Sequence, residues 1–163
     1  MATYTVTVEE APKSEDVQVL AQGLTARALP YTQVPGFQPL GVFLRDERGA
    51  LVGGVWGYVN WNWLFVGLVW VSETLRGGGY GRQLMAALEH AARERGCQYA
   101  HLDTFSWQAR PFYEGLGYED FATLDDYPSG YQRFFMKKAL PCRLWRTSGR
   151  AEQLHASAWS RGA

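Results

Sequence analysis

The chain opens with alternation. "TYTVTVEE" switches between apolar and polar residues and is rich in Thr and Val, which predicts a first strand. The period then lengthens. In "APKSEDVQVLAQGLTARAL", Val17, Leu20, Leu24 and Leu29 fall near one helical face and Ser14 suits the N-cap. "PYTQVPGFQP" reads as a loop punctuated by Pro30, Pro35, Gly36 and Pro39. The next run, "LGVFLRDERGALVGGVWGYVNWNWLFVGLVWVS", predicts three strands with reversals at "DERG" and within "VNWNW", an antiparallel meander.

A helix pattern follows from about Gly79 to Arg95. Leu84, Leu88 and Ala91 form its apolar stripe and Gly96 its stop. "CQYAHLDTFS" is a further strand, "QARPFYEGLG" a short helix ending at Gly115 or Gly117, "YEDFATLDDYPSG" a strand and loop, and "YQRFFMKKAL" a last strand. This order describes a mixed α/β domain whose sheet starts antiparallel and becomes partly parallel around the central helix. Ligands in such sheets favour the carboxyl ends of strands near a change of direction. The domain is expected over residues 1–140. Residues 141–163 form an extension of unassigned role with weak helical potential around "RAEQLHASAW".

Composition narrows the reading. A chain of 163 residues, 47% of them hydrophobic, suits one globular domain with a sizeable core. Sixteen basic residues balance sixteen acidic ones, so nothing global points to nucleic acid or to an anionic membrane. The extension carries Arg143, Arg146, Arg150 and Arg161 against Glu152, which leaves the body mildly acidic. Cys97 and Cys142 make no metal pattern and are too few for a disulfide framework. They read as free thiols, with Cys97 in or near the core. The N-terminus lacks the features of a signal peptide, and "WNWLFVGLVWV" is too short to span a membrane. A cytoplasmic protein without membrane or nucleic-acid partners is expected.

The chemistry begins at "SETLRGGGYGRQLMAALEHAARERG". Glycines before a helix start let the backbone approach a ligand closely, and the helix start offers unpaired N–H groups and partial positive charge. A P-loop would end in Gly-Lys-Ser/Thr, whereas this run ends "YGRQ". The dinucleotide fingerprint finds no third glycine at Arg82. Arg-x-x-Gly-x-Gly is met at every position by Arg76, Gly79 and Gly81.

With "LRGGGYG" in that place, the chain resembles the GNAT acetyltransferase superfamily. There an R-G-x-G-x-G loop opens a long helix and holds the pyrophosphate of acetyl-CoA. "QARPFYEGLGYE" is similar to the family's A-x-x-F/L-Y-x-x-x-G-F/Y segment, with one strand, "AHLDTF", between the two motifs. The resemblance covers Tyr4 to Leu140. It implies a splayed mixed sheet of about six to seven strands flanked by helices. It also implies an acetyl-CoA-dependent N-acetyltransferase that works by direct transfer in a ternary complex, often as a homodimer.

Carried over residue by residue, the resemblance assigns the pyrophosphate cradle to Gly77, Gly78, Gly79, Tyr80, Gly81 and Arg82, with Arg76 orienting the loop. The backbone of Val69, Trp70 and Val71 would pair with the pantetheine arm. Tyr113 matches the tyrosine that protonates the leaving thiolate. Ser106 stands where the family often has an Asn on the pantetheine arm. The strand before the glycines carries no carboxylate, so Asp103, one strand away, is the candidate base or amine binder. On the acceptor side, Trp56, Trp61, Trp63, Trp70, Tyr31, Phe37, Tyr127 and Tyr131 supply mainly core. Those nearest the cleft suit a flat or cationic amine, with Asp125 and Asp126 available to an ammonium. A small-molecule amine is the favoured acceptor, and no metal is expected. A CoA-binding module without turnover and a homodimeric structural protein remain the alternatives.

Overall fold

A computed structural model of the chain describes residues 3–32 and 36–141. Helix α1 (Ser14–Thr32) comes first. Strands β1 (Phe37–Arg45), β2 (Leu51–Asn60) and β3 (Trp63–Val71) follow as an antiparallel meander. A single 3₁₀ turn (Glu73–Leu75) leads to helix α2 (Tyr80–Glu94). Strand β4 (Tyr99–Phe105), helix α3 (Arg110–Glu114) and strands β5 (Glu119–Asp125) and β6 (Gln132–Ala139) complete the domain. The six strands form one mixed sheet in the order β1-β2-β3-β4-β6-β5, in which β3 and β4 are the parallel pair.

Two expectations are corrected at the N-terminus. Residues 3–13 are not a strand, and Tyr4, Val6 and Val8 are almost fully exposed. Alternation marks a chain able to join a ladder, but a strand exists only where a neighbour supplies its hydrogen bonds. The helix continues through Pro30 to Thr32, and none of its side chains is buried. Proline is least disruptive near an end, and Pro39 likewise lies in β1, an edge strand that tolerates its missing N–H. The extension beyond Pro141, with Cys142 and its arginines, lies outside the described residues.

The core lies between α2 and one face of the sheet. Leu84, Met85, Leu88 and Ala92 of α2 pack on Val55, Val59, Leu64, Val66, Leu102 and Met136, all buried. Ala92, rather than Ala91, is the buried end of the helical stripe. Cys97 is buried as expected, and burial pushes its thiol pKa up. The indoles are less buried than expected. Trp56, Trp61 and Trp70 are exposed, and a ladder of rings from Phe37 through Tyr58 and Phe65 to His101 and Trp63 occupies the sheet face away from α2. A buried acid reinforces the core side. Glu89 of α2 takes both Lys138 Nζ contacts, at 2.8 and 3.0 Å, and the Tyr118 hydroxyl at 3.1 Å.

One irregularity shapes the site. β3 and β4 pair only from Trp63–Tyr99 to Val66–Leu102. The next residue, Gly67, is skipped in the β2–β3 register, where Trp56 opposes Leu68 and Gly57 opposes Val66. A bulge bends its strand. Here it coincides with the point where β3 leaves β4, and the sheet splays open beyond it.

Candidate active site

The loop before α2 is built for close backbone approach. Gly77 and Gly79 have φ of 81° and 82°, a region that L side chains rarely occupy. Gly79 is the N-cap, and the first helical bond runs from Gln83 N to the Gly79 carbonyl at 3.1 Å. Among the described residues, no carbonyl takes the N–H groups of Gly77, Gly79, Tyr80, Gly81 or Arg82. These are the orphan donors of a helix start, and they attract an anion. Gly81 meets a second requirement, because a Cβ there would stand 3.2 Å from the Phe112 ring. The first turn of α2 is thereby seated against α3.

Two arginines brace this loop. Arg76 Nε donates to the Val71 carbonyl at 3.2 Å and its Nη1 lies 3.6 Å from Glu73. Arg82 Nη1 donates to the Gly115 carbonyl at 3.1 Å, tying the first turn of α2 to the end of α3.

A cavity of about 500 Å³ runs from Gly77, Gly79, Tyr80, Gly81 and Arg82 past Val69, Trp70 and Val71 to Ala109, Phe112 and Tyr113. A second, of about 580 Å³, shares Val69, Trp70, Val71, Arg76, Ala109 and Tyr113 and continues to Gly67, Leu68, Asp103, Thr104, Trp107 and Gln108. Adjacent strand residues face opposite sides of a sheet. Since both Asp103 and Thr104 line it, the second cavity passes through the splay. One opening therefore lies on the α2 side, another on the far side, and Tyr113 stands where they meet.

Tyr113 follows Pro111 and Phe112 on the short α3, and its half-buried ring packs edge-on against Tyr118 at 6.2 Å. Burial raises its pKa, and the nearby Asp103 carboxylate raises it further, so the phenol keeps its proton at neutral pH. Asp103 accepts from Arg133 Nε at 2.8 Å. The guanidinium is capped by the rings of Phe105, Tyr127 and Phe135. His101, two residues before Asp103 on the same strand face, has its pKa lowered by burial, with Asp103 opposing that shift.

The structure thus brings together Val69, Trp70, Val71, Arg76, Gly77, Gly79, Tyr80, Gly81, Arg82, Asp103 and Tyr113. It does not bring Ser106 or Gly78 to either cavity wall. Ser106 Oγ accepts from Gln132 N at 3.3 Å, across to β6, and Gly78 N donates back to Leu75. Asp125 and Asp126 hold their own loop, through Gln132 Nε2 at 2.7 Å and Gly130 N at 2.7 Å. Sequence reasoning missed Gln108, whose Oε1 receives the Thr104 hydroxyl and the Phe105 N–H, and Trp107 beside it. It also missed the bulge at Gly67, whose signal was a lone glycine inside an apolar strand.

A helix start with unpaired N–H groups, an open strand edge and a phenol at the junction of two cavities suit an acyl-group transferase. The chain belongs to the Acetyltransferase (GNAT) family, which residues 14–118 match. It is 42% identical over 118 residues to the blasticidin-S acetyltransferase of Streptomyces morookaense, covering 70% of this chain and 87% of that one. An acetyltransferase of Agrobacterium fabrum is 33% identical over 99 residues, covering 61% of this chain and 72% of the other. A crystal structure of an acetyltransferase from Bacillus cereus superposes with a TM-score of 0.72 at 29% identity, covering 82% of this chain and 97% of that one.

Proposed function

We propose that the protein transfers an acetyl group from acetyl-CoA to the primary amine of a small molecule, directly and within a ternary complex. The observation that carries this reading is the cradle of unpaired N–H groups at Gly77, Gly79, Tyr80, Gly81 and Arg82. It opens into a cavity that follows β3 to Tyr113. The residues fit acetyl-CoA. The cradle matches a pyrophosphate, and the two amides of the pantetheine arm match Val69–Val71, whose edge has no β4 partner. Acetyl-CoA supplies the activated thioester. Tyr113 donates its proton toward the departing sulfur, which its raised pKa allows at neutral pH.

The amine enters from the far side, past Asp103. Arg133 holds that carboxylate in place, and its second oxygen receives the amine or an ordered water that relieves the amine of its proton. That relatives include a blasticidin-S acetyltransferase supports a small-molecule acceptor over a protein tail. No helix of the described residues is long and apolar enough to cross a membrane. The buried free thiol of Cys97 suits the reducing cytoplasm. Calorimetric titration with acetyl-CoA, with ATP as the comparison, tests the cradle. Saturable binding of acetyl-CoA that ATP does not match is expected; absence of acetyl-CoA binding overturns the proposal.

A further inference from the structure

The second cavity is walled by two indoles. Trp70, on β3, is 52% exposed, and Trp107, just past β4, is 51% exposed. β3 and β4 are the two sides of the splay, so the rings belong to opposite banks of the opening. Exposed indoles lining one cavity mark a binding surface.

Trp107 is held more firmly than its exposure suggests. One face lies on Phe105, with ring centres 4.5 Å apart and planes 12° apart. Phe105 is in turn nearly parallel to Tyr127, at 6.1 Å and 6°. Tyr131 meets the Trp107 ring edge-on at 4.8 Å and 82°. Arg133 lies over Phe105 and Tyr127 and pairs with Asp103. The result is a column of near-parallel rings, Tyr127, Phe105 and Trp107, that ends at the cavity wall. Its last member is fixed by packing before any ligand arrives, which lowers the ordering cost of binding.

We propose that this column is the acceptor's recognition platform, and that the acceptor is a planar, unsaturated ring carrying a primary amine. The ring continues the stack on the outer face of Trp107, and Trp70 closes from the other bank. The Asp103–Arg133 pairing neutralises most of the local charge. Ring stacking, rather than attraction of a cation, is therefore the source of selectivity. The assignment rests on the acetyltransferase reading for the identity of the reaction, but the platform can be tested without turnover.

The probes are 2-phenylethylamine and 2-cyclohexylethylamine, alike in size and basicity and different in planarity. The protein, labelled with 15N at its seven tryptophans, is titrated by NMR, and Trp107 is assigned by the peak missing from Trp107→Leu. The planar amine should shift the Trp107 indole signal and bind roughly tenfold more tightly than the saturated one, the worth of one added stacking contact. Trp107→Leu should erase that preference while calorimetric affinity for acetyl-CoA stays unchanged. Equal affinities, no shift at Trp107 with either amine, or a preference that survives in Trp107→Leu overturns the platform. Loss of acetyl-CoA binding alongside an intact planar preference would instead defeat the reaction assigned to the site.

Discussion

Tyr113 is the residue on which both openings converge, and its environment sets two expectations. Tyr113→Phe keeps the ring packing and removes the proton, so kcat should fall by about a hundredfold, with the KM for acetyl-CoA little changed. Steady-state kinetics separates the two constants, and a parallel rise in KM would argue for a binding role. Because the phenol pKa is raised above its usual 10.0, the wild-type rate should hold into alkaline solution and decline only above that value. The Phe variant should lack this decline. His101 carries the opposite kind of prediction. Burial lowers its pKa below 6.5, so the unfolded chain takes up a proton first as pH falls. Its contribution to stability is present above the unfolded value of 6.5 and is lost as pH drops through the lowered folded value. The melting temperature of His101→Gln should therefore depend less steeply on pH in this range. The position of Tyr113 in the cleft was readable because a motif surrounds it. His101 was not, because only the three-dimensional ring ladder reveals what buries it.

Among the elements, the start of α2 carries an expectation for folding and one for the proposed binding. Nothing lies within 4 Å of a Cβ built at Gly79, so substitution there meets no wall, only the positive φ. Gly79→Val should cost about 1–2 kcal/mol of stability. It should weaken acetyl-CoA binding by about tenfold, the worth of a lost charge-assisted hydrogen bond. Calorimetry with and without ligand measures both effects. The other end of the α2 surface depends on Glu89. Removing it strands Lys138, whose side chain is 23% exposed, so Glu89→Ala should lose about 2–4 kcal/mol in urea denaturation. The meander, α2 and α3 were all legible, because turn residues, glycine stops and helical spacing agreed over each segment. The N-terminal segment was not, because alternation describes the chain's side of a ladder and says nothing about the partner. The solvent-facing indoles misled for a related reason: composition cannot tell which face of a sheet a helix will cover.

At the scale of the molecule, two openings joined at one phenol suit the proposed ternary complex, in which both substrates are present together. Initial-rate plots should intersect rather than run parallel. The acetylated product should compete with the amine but not with acetyl-CoA. Parallel lines would indicate a covalent acetyl-enzyme and contradict the direct route. The splayed fold itself was foreseeable from the order of elements and the family resemblance, whereas the bulge at Gly67 where β3 leaves β4 was not. That glycine has a consequence for how such a protein can change. On the proposed reading, the bulge at Gly67 makes the sheet a partition with a window, the cosubstrate on one side and the acceptor on the other. Exchanges at Leu68 or Trp107 should then alter what is admitted without disturbing what is supplied. The donor half can stay constant while the acceptor half is rewritten one side chain at a time.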